Sequence, residues 1–216
     1  VAIYANGVRY EGQFENAVHH GVGIMTSENG YRYEGDWIEG TKHGNGTITY
    51  SDGAVYEGEI VRGVRQGTGS LTLPDGLVYT GSWENGQING GGILTQANGD
   101  RYEGDMINGQ RQGQGVATYA SGDRYAGAFV GDLRHGKGVF NGVDGYTYDG
   151  DWCEGRIEGE GLVSYPDGSV YSGSFLNDVA HGSGKITYPD GSSYDGNWVN
   201  GVIEGDGIAR YGNGLV

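Results

Sequence analysis

Tyr33-Glu34-Gly35-Asp36-Trp37, followed by Gly44-Asn45-Gly46 and then Asp52-Gly53, carries the reading of the whole chain. Tyr-x-Gly-x-Trp has a period of two. Tyr33, Gly35 and Trp37 therefore share one face of a β-strand, and Glu34 and Asp36 share the other. A glycine between two rings leaves a gap that a neighbouring ring can cover. Gly44-Asn45-Gly46 opens a second run, Gly46-Thr47-Ile48-Thr49-Tyr50, in which apolar residues alternate with threonine as on a half-exposed strand. Asp52-Gly53 favours the primed turns that close tight hairpins. The other connection, Ile38-Glu39-Gly40-Thr41-Lys42-His43, reads as a longer polar loop.

Moving outward, the unit repeats. Tyr10, Tyr33, Tyr56, Tyr79, Tyr102, Tyr125, Tyr148, Tyr171 and Tyr194 stand 23 residues apart, nine copies without an insertion. Two residues on is always Gly. Two further is a large apolar residue, and all 4 Trp of the chain, Trp37, Trp83, Trp152 and Trp198, fall in that column. Counting Gly-x-Gly and the turn, four glycine columns hold 36 of the 47 glycines, so the glycine content is a structural period and not a linker. Pro74, Pro166 and Pro189 each precede an Asp-Gly, where they rigidify the approach to a turn without removing a ladder donor. The predicted fold is all-β: a single-layer, elongated antiparallel β-hairpin solenoid of nine repeats, at roughly 10 Å per repeat. Residues 1–216 form one continuous array. Residues 1–9 read as the tail of a preceding repeat, and Leu215-Val216 as the approach to another Tyr, so the chain reads as a fragment of a longer array, at least on the N-terminal side.

Composition excludes several classes. Aromatic residues make up 12% of the chain, too many for a disordered Gly-rich tract. A net charge of -15 disfavours nucleic acid. Cys153 is the only cysteine, which removes any disulfide framework and fits a reducing compartment. No run has the length of a membrane span or a signal-peptide core. Gly-x-Gly occurs in every repeat with no following helix, so it is no phosphate-binding loop, and no nucleophile, base and charge stabiliser converge. The chain is expected to be non-catalytic and to hold no cofactor.

Tyr-x-Gly-x-Trp/Phe followed by Gly-x-Gly at this period resembles the MORN repeat family (membrane occupation and recognition nexus). Tyr33–Trp37 with Gly44-Asn45-Gly46 is a close fit, as is Tyr194-Asp195-Gly196-Asn197-Trp198 with Gly205-Asp206-Gly207. The resemblance spans essentially the whole chain. Ile60 and Met106 depart from it in the aromatic column, and Ala17, Asp132 and Asp178 in a loop column that is otherwise Gly. MORN arrays accompany kinase, methyltransferase and membrane-junction modules. They also form nearly whole cytoskeletal proteins of apicomplexan and kinetoplastid parasites, the group this chain most resembles. The resemblance implies a cytoplasmic scaffold near membrane-associated cytoskeleton, with dimerisation, recruitment of cytoskeletal or scaffold proteins, or phosphoinositide contact as its roles. A targeting arm of a larger enzyme is the third expectation.

Candidate surfaces follow from the columns. Tyr33, Trp37, Tyr79, Trp83, Tyr148, Trp152, Tyr194 and Trp198 are expected to line a groove for partner segments. Carboxylates that recur beside the Tyr, such as Glu34, Asp36, Glu57 and Glu59, read as a solvated outer face. Lys42, Arg65, Arg111 and Arg134 share one loop column and are the candidates for anionic lipid, each contributing about 1 kcal/mol near a membrane. A second basic column, Arg9, Arg32, Arg101 and Arg124, precedes the Tyr. No local cluster reaches a metal's ligand number; Cys153 and His181 are candidates only for a zinc shared between two chains. The basic column turns apolar at Ile157, Ala180 and Ile203. With Val199, Val202, Ile208 and Tyr211, Ile203 forms an apolar edge expected to dimerise about a two-fold axis.

Overall fold

The computed structural model describes residues 1–212. Leu215 and Val216 lie outside the described residues. Nineteen strands and no helix are present among those described. The chain divides into two compact units, Val1–Gln110 and Arg111–Val216.

In the first unit a short strand, Ala2–Ile3, leads into alternating strands of seven and nine residues. These are Arg9–Glu15, Val18–Thr26, Arg32–Ile38, Thr41–Thr49, Val55–Val61, Val64–Thr72, Val78–Glu84, Gln87–Thr95 and Arg101–Ile107. Each pairs antiparallel with the next along the chain. The second unit repeats the pattern from Gln110–Thr118, which opens on the boundary residue, through Arg124–Val130, Leu133–Asn141, Thr147–Cys153, Arg156–Ser164, Val170–Leu176, Val179–Thr187 and Ser193–Val199 to Val202–Arg210. The all-β, single-layer hairpin meander predicted from the period is the observed architecture.

The turns are the reverse of the expectation. The tight turn is Glu39-Gly40, whose φ values of 49° and 79° place both central residues in the left-handed region of a type I′ hairpin. Ile38 and Thr41 pair directly across it, so Thr41, Lys42 and His43 are strand and not loop. Asp52-Gly53 sits in a wider turn in which only Gly53 has positive φ, at 92°. There Gly53 N donates to Tyr50 O and Tyr50 N to Ala54 O, while Asp52 Oδ1 accepts the Ala54 N–H. This is a type I turn with a glycine bulge. The aspartate is selected by its side-chain bond two residues on, and the primed geometry plays no part there.

Within each hairpin the ladder slips. Gly35 opposes Gly46, yet Trp37 opposes Lys42, so two residues on the short strand face four on the long one. Gly44, at φ 70°, makes that bulge. Gly46 answers a different need: a Cβ there would lie 2.4 Å from the Tyr33 ring. The ring lies over Gly35 and Gly46, and the bare glycine pair is the floor it packs on. The core is therefore the aromatic column itself. Tyr10, Tyr33, Tyr56, Tyr79, Tyr125 and Tyr148 are completely buried. Among the described residues, no buried side-chain N or O lacks a hydrogen-bond partner.

Candidate functional site

Each column Tyr lies along its own strand and donates its phenol to the carbonyl three residues on. Examples are Tyr33 to Asp36 O at 2.7 Å, Tyr56 to Glu59 O at 2.8 Å and Tyr148 to Asp151 O at 2.8 Å. Each Trp bridges two repeats. Trp83 meets its own Tyr79 and the preceding Tyr56 edge-on, at centroid separations of 5.6 and 5.1 Å. Its Nε1 donates to Gly69 O at 3.1 Å. Trp37, Trp152 and Trp198 do the same with Gly23, Gly138 and Gly184. Burial pushes the phenol of Tyr56 and Tyr125 up to about 12, and it raises those of Tyr33 and Tyr148 as well. Of the eight rings expected to line a groove, all but Tyr194 are buried. A partner on this face meets the residues that cover the rings.

Those residues include the first basic column. Trp37 pairs with Lys42 and Ile60 with Arg65, which places the column on the aromatic face. The Arg65 guanidinium carbon lies 4.4 Å from the Trp83 ring centroid, and that of Arg134 lies 4.3 Å from Trp152. Lys42 Nζ is 4.5 Å from the Tyr31 ring centroid and donates to the Tyr31 hydroxyl. Desolvation pulls its pKa down. Arg111 is held by Asp132, through Nε to Oδ1 at 3.2 Å and Nη2 to the backbone O at 2.6 Å. His19 occupies the same column and stacks on Tyr10, with centroids 3.7 Å apart. The four residues expected to face lipid thus lie against aromatic rings of their own chain.

This aromatic–glycine unit coincides with the repeat of a known family. The MORN repeat matches residues 10–30, 33–55, 56–78, 79–101, 102–124, 125–145, 148–170, 171–193 and 194–216. The chain belongs to the MORN repeat family. No curated protein matches it. Among solved structures, it is similar to the SAS-4 (dCPAP) TCP domain of Drosophila melanogaster, in complex with a proline-rich motif of Ana2 (dSTIL). That likeness has 14% identity and a TM-score of 0.48, covering 81% of this chain and 95% of that one. A second is the TCP10 domain of Danio rerio CPAP in complex with a peptide of STIL. Identity there is 13%, coverage 94% and 90%, and TM-score 0.46.

The polar residues of the MORN repeats divide by column. Arg9, Arg32 and Arg101 pair with Glu11, Glu34 and Glu103 at 2.8, 2.5 and 2.7 Å on the outer face. The second acid of the motif has a separate task. Asp36 Oδ2, Glu59 Oε1 and Asp151 Oδ2 accept the N–H of Asn45, Thr68 and Glu160, the residue between the two glycines of Gly-x-Gly. The bulge takes that N–H out of the ladder, and the acid takes it up. The bond to Thr68 holds the Glu59 carboxyl below its ordinary pKa. His43, His135 and His181 accept the N–H of Arg62, Glu154 and Asn200 through Nδ1, at 3.4, 3.5 and 3.4 Å. Gln66 and Asn89 do the same for Asn85 and Asn108. This column of turn acceptors is visible in the sequence as His, Gln or Asn just before Gly-x-Gly, but only the register says what it accepts. Half-buried Cys153 sits at a hairpin end, paired with Arg156.

Because the rings cover the glycines on one face only, the other face carries open troughs over the glycine rows. In the first unit a trough of about 710 Å³ runs over Gly46, Gly58 and Gly69, walled by Glu34, Thr47, Glu57, Thr68 and Ser70. In the second a trough of about 530 Å³ has walls of Val116, Ala126, Val139, Lys137 and Asp149. No helix among the described residues is long and apolar enough to cross a membrane.

Proposed function

We propose that this MORN chain is a non-catalytic scaffold of a membrane-associated cytoskeleton that recruits protein partners and pairs with a second copy of itself through its last described strand. The observation that carries the reading is the apolar surface around Val202–Arg210. Its described ladder partners all lie on Ser193–Val199. Val202, Ile203, Ile208 and Tyr211 are exposed there, with Val199 beside them. Ile157, in the same column as Ile203, is 6% exposed, whereas Ile203 is 43% exposed. Among the described residues Val202–Arg210 is paired on one side, and a strand edge flanked by aliphatic side chains suits completion by an antiparallel copy about a two-fold axis.

Sedimentation velocity over a wide concentration range tests this. A dimer is expected, and Ile203→Glu with Ile208→Glu is expected to weaken it at least tenfold, about 1.4 kcal/mol. A monomer at every concentration sinks the self-pairing. The competing lipid reading asks the Lys and Arg columns to face a membrane, and their stacking and ion pairs, with a net charge of -15, weigh against it. Salt-sensitive co-sedimentation with phosphoinositide vesicles, lost in a folded Arg65→Glu/Arg111→Glu variant, would reverse that judgement.

A further inference from the structure

The basic column has a gap, and the chain itself shows what fills that space elsewhere. Arg65 lies among Tyr50, Tyr56 and Trp83, its guanidinium carbon 6.0, 5.8 and 4.4 Å from their centroids, and its Nη2 donates to Gly86 O at 2.6 Å. Five repeats later the equivalent positions are Tyr165, Tyr171, Trp198 and Gly201, and the residue in place of Arg65 is Ala180. The surroundings are kept. Tyr146 and Tyr165 meet edge-on at 6.0 Å, as Tyr31 and Tyr50 do at 6.2 Å. Trp198 Nε1 donates to Gly184 O as Trp83 Nε1 donates to Gly69 O. With the side chain cut back to a methyl group, a cavity of about 230 Å³ opens, lined by Tyr146, Tyr165, Tyr171, Trp198, Gly201 and Asp178.

Asp178 is the second observation. It replaces the glycine that the Arg65 repeat has at Gly63, and so brings an acidic residue into the lining of the cavity. Its Oδ1 accepts the Ile157 N–H at 2.8 Å. Asp132, one of the two aspartates at this turn position, accepts the Arg111 N–H in the same manner and also ion-pairs with the Arg111 guanidinium. The place that Arg111 takes beside Asp132 is held by Ile157 beside Asp178, and Asp178 lines the cavity from that neighbouring turn.

We propose that this pocket receives an arginine side chain from a partner protein, its guanidinium stacked on Trp198, donating to Gly201 O and neutralised by Asp178. The pocket supplies a flat aromatic face, a carbonyl and a carboxylate, the complement of a planar five-donor cation. The acidic net charge favours the approach of a basic segment. The proposal rests on the partner-binding reading above.

The test uses the whole chain, the probe N-acetylarginine methylamide and the Trp indole N–H resonances in NMR. A saturable shift of the Trp198 resonance is expected. It should be several-fold weaker with the neutral citrulline analogue and in Asp178→Asn. Ala180→Arg should fold, shift Trp198 without probe and abolish the response; Ala180→Leu should abolish it by filling the space without charge. A silent Trp198 resonance, an equal response to citrulline, or a response surviving in Ala180→Leu overturns the proposal. An Ala180→Arg chain that unfolds overturns the equivalence with Arg65. The probe needs no natural partner: dimerisation with a silent pocket would sink this inference alone, and a responding pocket in a monomeric chain would sink only the self-pairing.

Discussion

At the residue scale, glycines in this chain are not interchangeable, and Gly91-Gly92 shows it. A Cβ on Gly91 meets nothing within 4 Å, whereas one on Gly92 lies 2.5 Å from the Tyr79 ring. Gly91→Ala is expected to be neutral or to stabilise by about 0.4–1 kcal/mol by reducing unfolded-chain entropy. Gly92→Ala is expected to cost about 1–3 kcal/mol, since the ring must leave its floor. Denaturant melts of the two variants decide; equal effects would mean the ring does not rest there. Ala17 is the converse case. It holds φ 65° in a turn position where six repeats have glycine. Ala17→Gly should stabilise by about 1 kcal/mol, from relief of left-handed strain. A loss of stability in the same melt would show that the turn carries no such strain.

At the scale of the element, the joint between repeats is the Trp. Trp83 contacts the tyrosines of two repeats and satisfies the Gly69 carbonyl, so Trp83→Ala removes packing on both sides and orphans an acceptor. The expected cost is about 3–5 kcal/mol. Within the first unit each strand pairs with its chain neighbours, so the damage should be local. Hydrogen exchange should show protection lost from Val64–Thr72 through Gln87–Thr95 and retained in Arg9–Glu15 and Val18–Thr26. Uniform loss across the unit would instead mean that its repeats melt as one.

At the scale of the whole molecule, a core of tyrosines makes stability depend on alkaline pH. Burial holds Tyr56, Tyr125 and Tyr171 neutral up to about 12, against an ordinary phenol value of about 10. Below the ordinary value both states are protonated and these groups add no pH dependence. Above it the unfolded chain releases protons that the folded chain keeps, so stability falls as pH rises through this window. The thermal midpoint should drop steeply above pH about 10, with tyrosinate absorbance appearing together with the loss of β-sheet circular dichroism. Phenols that ionise near their ordinary value while the sheet stays intact would contradict the buried column.

Strand identity, the 23-residue unit and the alternation of faces were legible in the sequence. They depend on a period of two and on glycine columns, both local properties of the chain. The family followed from the same residues. What the tertiary structure decided was register. Asp52-Gly53 looks like the tight turn, yet Glu39-Gly40 is, because the direct pairing of Ile38 with Thr41 leaves room for only two residues between them. That pairing moved Lys42, Arg65 and Arg134 from a loop onto the aromatic face and gave Asp36 and Glu59 a bulge N–H to accept. It also made Ala180 a pocket where the equivalent repeat holds an arginine. A column's composition is written along one strand, but what a side chain covers depends on the strand across from it and on the rings of the next repeat.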